Sequence, residues 1–432
     1  MAKSNLDRRS FLAAAGAGAL AAHHALGQDA KPKPSRIAFI GVGSRGTGLL
    51  RSILKIPGVS VPAICDINPA HLKRGIAMVA KAHGNTPEGY SKSEYDYRRM
   101  LARDDFDGVL IATPVDWHAE MSVDAMNAGK HVGSEVPSCR TIKECWDLVK
   151  TKQKTGKRYM LLENYLYSRG RMQVYNMARA GVFGELYYAE CGYIHDCLGL
   201  LFDSKGKLTW RGEVRTRLFG NTYATHAIGP ISKMMGIHRG DRMTSLVAMM
   251  SAPRSCHHYA VERFGPDSEA AKVKFSYGDY CSCLIQTATG GMIRCDFDSH
   301  SRRPAKGFTL VQGTKGLYNS ASGIHIHGKS PSRRYESTSK YAKDYDHKYW
   351  ASMGAKAKKA GHGGGDFFVL HDFVSMVRDN REPFVDVYDA AAWSAISPLS
   401  MDSIRNGCSA VKFPDFTNGR WKEKTWPDAP WL

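Results

Sequence analysis

The sequence predicts an α/β domain built on a parallel sheet, followed by an α+β domain built on an open, mostly antiparallel sheet. Three observations carry this. The run Ile37 to Gly46, IAFIGVGSRG, takes four apolar residues straight into a glycine turn and a helix start. Asp66 ends the next apolar run, 25 positions after Gly41. From Arg36 to Tyr159 strand-like and helix-like stretches alternate, whereas from Gly184 onward single residues alternate in polarity, as in hairpin strands.

Each glycine of the turn has a task in a dinucleotide-binding unit. Gly41 permits the turn, and Gly43 lets the backbone approach a pyrophosphate that a Cβ would strike. Gly46 lets the following helix lie close to the strand. The helix N-terminus offers unpaired N–H groups and the positive end of its dipole to the phosphates. Val59 to Ile64 is the second strand, and Asp66 stands where an acidic residue binds ribose hydroxyls. Its charge repels a 2′-phosphate, which favours NAD over NADP.

The remaining elements follow in order. Helices are expected at Thr47 to Lys55, Ala70 to His83, from His118 through Ala128, and at Thr141 to Gly156. Strands are expected at Asp107 to Ala112, Lys130 to Glu135 and Arg158 to Leu162. In such sheets ligands bind at the carboxyl ends of the strands, so Val115 to His118, Glu135-Val136 and Glu163-Asn164 share one crevice with the glycine turn. A helix at Arg171 to Ala180 leads into the second domain. Its strands are expected at Gly184 to His195, Thr244 to Met250, Ala271 to Ser276, Asp279 to Thr287, Met292 to Asp298 and Phe308 to Gln312. Tyr223 to Met235 reads as a loop entering a helix, and residues 320 to 362 as a long surface excursion without clear periodicity. Gly363 to Arg378 and Val387 to Asn406 read as helices that pack back on the rest.

Composition adds boundaries. The 432 residues open with Arg8-Arg9-Ser10-Phe11-Leu12, a mild apolar stretch and a small-residue end, the pattern of a twin-arginine export signal. A permanent membrane span takes about 20 apolar residues, more than this stretch supplies. Residues 1–30 are therefore read as signal and lead-in, 31–165 as the nucleotide-binding domain and 166–432 as the second domain. The formal charge of +19 is high, but the basic residues are dispersed apart from some crowding between Arg302 and Lys359, and no nucleic-acid motif occurs. Ten cysteines without a C-x-x-C pair make neither a disulfide framework nor a zinc site, so no metal is expected.

A set of motifs in fixed order carries a resemblance. It comprises Gly41-Val42-Gly43-Ser44-Arg45-Gly46, Cys65-Asp66-Ile67, Thr113-Pro114 with Trp117-His118, Glu135-Val136-Pro137, Glu163-Asn164-Tyr165, Gly192 to Asp196, Trp210-Arg211, Tyr223-Ala224-Thr225-His226 and Gly361 to Gly364. Together they resemble the Gfo/Idh/MocA oxidoreductase superfamily, and within it glycosyl hydrolase family 109, the NAD-dependent α-N-acetylgalactosaminidases. The ordinary dehydrogenases of that superfamily have a Glu-Lys-Pro tripeptide whose Lys assists hydride transfer. Here Val136 takes that place and has no proton to give.

The resemblance implies a glycosidase that oxidises sugar C3 with NAD, eliminates the C1 substituent, adds water and reduces the ketone again. It implies that Gly41, Gly43, Ser44, Arg45, Asp66, Val115, Asp116, Trp117, His118, Glu135, Val136, Asn164 and Tyr223 bind NAD. Tyr193, Arg211, Tyr223, Ala224, Thr225 and His226 bind the sugar, with His226 as general base or acid and Glu163 and Tyr193 as proton-relay partners. One departure stands out: Ala305, after Pro304, occupies the position of a substrate-facing Tyr. The expected partner is a glycan or glycoside, with a possible homodimer, no nucleic acid and no stable membrane insertion, in a periplasmic or extracellular location. Two other readings stay open: a conventional NAD-dependent sugar oxidoreductase, and a non-catalytic exported binding protein.

Overall fold

In the computed structural model the first strand leaves the surface at Ser35 and within two residues is wholly buried, as its run of Ile, Ala and Phe requires. The structure describes residues 34–423 apart from residue 359. Arg8, Arg9 and the expected export signal lie outside the described residues.

The first sheet contains β1 (Ser35–Ile40), β2 (Val59–Ser60), β3 (Ala63–Cys65), β4 (Glu88–Tyr90), β5 (Gly108–Ile111), β6 (His131–Ser134) and β7 (Tyr159–Leu161). Its order is β4-β3-β1-β5-β6-β7, with β2 paired to β1, and every pairing is parallel. The order turns outward in both directions from β1 and β5, so the carboxyl ends of these two strands open a crevice. The connecting helices are α1 (Ser44–Ile53), α2 (Pro69–His83), α3 (Asp96–Leu101), α4 (His118–Asn127) and α5 (Ile142–Thr155). Thr141 starts α5 with a capping box closed by Glu144, and Gly156 ends it in the left-handed conformation. The short β4 and α3 were not expected from the sequence. Neither is long enough to show a period.

The second half begins with α6 (Arg169–Arg179) and β8 (Leu186–Ile194). The chain then forms α7 (Trp210–Arg217), α8 (Thr225–Met234), β9 (Met243–Met250), α9 (Ser255–Phe264) and α10 (Glu269–Lys272). Next come β10 (Cys281–Thr287), β11 (Met292–Asp298), β12 (Phe308–Gly313), β13 (Gly316–Asn319) and β14 (Gly323–Ile326). The sheet runs β14-β13-β12-β8-β11-β10-β9 and ends on β15 (Val411–Lys412). All neighbours are antiparallel except β8 and β11, which run parallel in register from Tyr188 with Met292 to Ile194 with Asp298.

Two expectations are corrected here. Ala271 to Ser276 is not a strand: the Ser268 hydroxyl accepts the Ala271 N–H at 3.2 Å and caps the short helix α10, after which the chain is irregular. Residues 320 to 362 are not featureless, for they contain β14, a one-turn helix α11 (Ala342–Tyr345) and α12 (Lys348–Ala357). The helices α7 and α9 fall in stretches for which the sequence carries no expectation, and their polar residues outnumber their buried ones.

Two long helices bind the halves together. α13 (Gly365–Asp379) lies along α1, and α14 (Val387–Arg405) packs on β9, α5 and β7. Both are apolar on almost every side, as fully covered helices must be. The change of sheet falls between Leu161 and Leu186, around the boundary expected at 165, and both sheets belong to one compact unit.

Candidate active site

The glycine turn is built as its spacing requires. Gly41 has φ +86°, and a Cβ on it would lie 2.8 Å from the backbone of Ala112. A Cβ on Gly46 would lie 2.0 Å from the carbonyl oxygen of Gly41. Around Gly43 a Cβ would meet only the ring of His71, at 3.7 Å, so this position faces open space. Helix α1 starts there with no side-chain cap and no acidic residue in its first turn, and Ser44 is exposed at its first position. Unfilled N–H groups and an open backbone form a cradle suited to a pyrophosphate. Asp66 stands beside it: its carboxylate accepts the Val42 N–H at 2.8 Å and the Asn68 N–H at 2.9 Å, with His71 at 3.6 Å.

Arg45 has a more elaborate setting than its expected role suggests. Its Nε donates to Glu135 at 2.6 Å, and Nη1 and Nη2 donate to the two oxygens of Asp366 at 2.9 Å each. Asp366 also accepts from Asn164 at 2.7 Å and lies 2.9 Å from Nδ1 of His362. Burial pushes the Asp366 carboxyl up, but the His362 and Arg45 bonds outweigh it and hold the group well below the usual carboxylate range. Asn164 keeps a buried Oδ1 with no partner, facing the same network. Val136 is buried beside Glu135 and offers no charge or proton there.

The Val115 to His118 segment divides its labour. Val115 is buried, and Trp117 lies edge-on to Tyr95 with ring centroids 5.5 Å apart. Asp116 pairs with Arg140 at 3.0 Å and with Arg217 of α7, tying the two halves together. His118 is buried, with its ring nitrogens 2.8 Å and 2.9 Å from the carbonyl oxygens of Pro137 and Thr113. The neutral ring donates to one of these two crevice-loop carbonyls at a time, and burial lowers its affinity for the second proton that would bond both.

A cluster of the expected site residues lies where β7, β8 and α8 meet. His226, near the start of α8, has Nδ1 2.6 Å from Oε2 of Glu163, which is fully buried just beyond β7. Oε1 of Glu163 accepts the Tyr165 N–H at 2.8 Å. The Tyr165 ring stacks on His226 at 4.2 Å with 13° between planes. Tyr193 and Tyr223 close around the imidazole at 5.3 Å and 5.1 Å. Burial pushes the phenols of Tyr165, Tyr193 and Tyr223 up, so they hold their protons at neutral pH.

The remaining expected residues surround it. Ala224 and Thr225 are buried at the start of α8, and Thr225 Oγ1 has no partner. Arg211 is exposed with its guanidinium 4.3 Å from the Trp210 ring centroid, not in contact with the dyad. Ala305 is exposed in the loop between β11 and β12. The sequence did not single out Asp366, Tyr165 or Arg171. Tyr165 had a signal, since it follows Glu163-Asn164. Asp366 had none, being 321 positions from Arg45. All ten cysteines are free, and no group of three or more His, Cys, Asp or Glu among the described residues is placed to hold a metal.

Comparisons with known proteins agree with this geometry. Residues 35–163 match the oxidoreductase family with an NAD-binding Rossmann fold. Residues 167–423 match the glycosyl hydrolase 109 C-terminal domain. A glycosyl hydrolase family 109 protein of Stenotrophomonas maltophilia (strain K279a) is 39% identical over 97% of both chains. The chain belongs to glycosyl hydrolase family 109. Another family 109 relative is an α-N-acetylgalactosaminidase of Tannerella forsythia, 37% identical over 89% of this chain and 87% of that one. Levoglucosan dehydrogenase in complex with NADH superposes with a TM-score of 0.69 over 89% of the family 109 chain and all of its own, at 19% identity. Scyllo-inositol dehydrogenase of Lactobacillus casei, with NAD(H) and scyllo-inositol bound, gives 0.64 at 16% identity, over 88% of this chain and 99% of its own. These two share the fold. The family 109 chain is thus a glycoside hydrolase with an NAD-binding domain, and the open cradle at Gly43 beside Asp66 fits that cofactor.

Proposed function

We propose that this protein removes terminal α-linked N-acetylgalactosamine, or a closely related sugar, from glycans, with NAD recycled within each turnover. The observation that carries this is the His226–Glu163 pair beside the crevice, with Val136 where a dehydrogenase would place a lysine. Bound NAD supplies a reversible oxidation at sugar C3, which acidifies the C2 proton. The protein then moves protons. With Nδ1 bonded to Glu163, Nε2 of His226 is the nitrogen that takes the C2 proton as the C1 substituent leaves. Glu163 stabilises the imidazolium so formed. Tyr193 and Tyr223 keep their protons and orient sugar hydroxyls as donors. Ser44, Arg45 and the α1 N-terminus hold the pyrophosphate, Asp66 the ribose, and Asn164, Glu135 and Trp117 line the nicotinamide end. Arg211 reaches the acetamido or hydroxyl oxygens by side-chain movement from its stacked position on Trp210.

The same reading places the protein outside the cytoplasm. Arg8-Arg9 followed by Phe11-Leu12 supports twin-arginine export, which carries folded proteins and lets a cytoplasmic cofactor travel with its holder. No helix among the described residues is long and apolar enough to cross a membrane. Exposed Met249, Leu284 and Met292 on one face of the second sheet support pairing of two copies there.

The experiment is an incubation of purified protein with an aryl α-N-acetylgalactosaminide, with and without added NAD⁺. Release of the aryl alcohol without net NADH is expected. No release even with NAD⁺ sinks the substrate claim, and steady NADH formation from a free sugar returns the protein to the conventional oxidoreductases.

A further inference from the structure

A half-buried cation stands behind the base. The Arg171 guanidinium, on α6, lies 5.1 Å from the Tyr165 ring centroid, and its Nη1 donates to the Tyr165 carbonyl oxygen at 3.2 Å. Among the described residues no carboxylate forms an ion pair with it. Tyr165 in turn touches both members of the pair, stacking on His226 at 4.2 Å and donating its N–H to Glu163 at 2.8 Å. The guanidinium, the phenol ring, the imidazole and the carboxylate therefore form one contiguous assembly.

The groups around the pair come from several elements, and behind Tyr193 and Tyr223 stand His195, stacked on Tyr193 at 5.8 Å, and the exposed Arg211. Tyr165 precedes α6, Tyr193 is on β8, Tyr223 leads into α8, and Cys197 follows β8. All four are held neutral at working pH by burial. His362, ahead of α13, has its ring 6.4 Å from Tyr165 but is bonded to Asp366. Arg45 and Glu135 face Tyr223, and Arg45 is shared between Glu135 and Asp366. Arg171 thus has no carboxylate partner of its own in this set, and Glu163 is the carboxylate that acts on it across Tyr165.

We propose that Arg171, acting through Tyr165, is a positioning residue that keeps the His226–Glu163 pair unprotonated and oriented until substrate supplies a proton. A fixed positive charge opposes uptake of a proton by the pair, and the stacked ring holds the imidazole plane while Glu163 holds its Nδ1. Removal of the charge raises the proton affinity of His226, and the base is filled at a pH where it should be empty.

This rests on His226 as the base of the proposed reaction, but its test needs no turnover. The full-length protein with NAD is labelled with ¹⁵N-histidine, and the His226 imidazole is assigned from its loss in His226→Asn. Its titration is followed by NMR. Arg171→Met and Arg171→Gln raise the His226 midpoint by on the order of half to one pH unit, as loss of a nearby charge requires. Arg171→Lys, which keeps the charge, moves it by less than about 0.3 units. Arg171→Gln keeps a donor toward the Tyr165 carbonyl and so serves if Arg171→Met does not fold. An unchanged or lowered midpoint in both neutral variants overturns the proposal. So does a lysine variant that shifts as far as they do, since packing and not charge would then be the cause. Failure of the aryl glycoside assay with the expected titration shifts sinks the substrate reading and leaves this one standing.

Discussion

Nδ1 of His226 lies 2.6 Å from the buried Oε2 of Glu163, and this pairing decides which ring nitrogen is free. A carboxylate only accepts, so the neutral imidazole carries its proton on Nδ1 and presents an unprotonated Nε2. Glu163→Gln keeps the shape but removes the charge that selects this tautomer. A fall in kcat of roughly 100-fold or more is expected, with KM changed far less, because positioned proton transfer is worth about 10²–10⁴-fold. Steady-state kinetics on an aryl glycoside check it. A parallel rise in KM alone would mean that Glu163 only binds sugar.

Asp366 closes the Arg45 network from α13. Asp366→Asn halves the bidentate partner of Arg45 and leaves the guanidinium buried with one carboxylate, Glu135. Breaking a partly buried pair of this kind costs about 3 kcal/mol. The variant is expected to melt at a lower temperature and to release NAD on dialysis, whereas the parent retains it. The sign of its pH dependence follows from a depressed carboxyl. The stabilisation is complete above the unfolded carboxylate value of about 3.9 and is lost only as the pH falls well below it. The difference in melting temperature between parent and variant should therefore be flat from pH 5 to pH 8.

Two buried histidines, His300 and His347, and the half-buried His131 set the acid limit of the fold instead. Burial lowers His131 to about 4, His347 to about 4 and His300 to about 3. Each takes its proton more readily in the unfolded chain, at about 6.5. The stability they contribute is full above that value and falls as the pH drops from about 6.5 through about 4. Thermal denaturation should show a declining melting temperature across this window. His347→Gln should flatten the slope, even at some cost in absolute stability.

Gly46→Ala tests the turn. Its added methyl would sit 2.0 Å from the Gly41 carbonyl oxygen, a backbone atom with no room to retreat. Overpacking of this kind costs about 1–3 kcal/mol, and here it also displaces α1 from the cradle. Purified variant should carry much less nucleotide than the parent after denaturation and quantification. Gly43→Ala, whose methyl meets only His71 at 3.7 Å, should fold normally and lose nucleotide alone.

Much of this was legible in the sequence because the signals were local. The glycine turn, Asp66, the strand ends at Glu135 and Glu163 and the segment Tyr223 to His226 each sit within a few residues of a strand or helix boundary. The parallel order of the sheet then brings those boundaries to one crevice. What escaped had no local mark. Asp366 looks like any acidic residue in the first turn of a helix, and its three partners come from Arg45, Asn164 and His362. Arg171 reads as a solvated helix charge until Tyr165 is placed against it. His118 showed the opposite failure: it sits in a crevice motif, but its ring is spent on the carbonyl oxygens of Pro137 and Thr113. Ala271 to Ser276 misled because a single serine cap outweighed a weak alternation.

The contact between Arg45 and Asp366 joins the first turn of the fold to one of its last helices. During synthesis the glycine turn emerges long before α13 has been translated. The cradle is therefore unfinished on the ribosome, and its lock is delivered only when the chain is nearly complete. Capture of a nucleotide becomes a late event of maturation, and a chain truncated before residue 366 would keep a well-formed turn that cannot hold what it was shaped for.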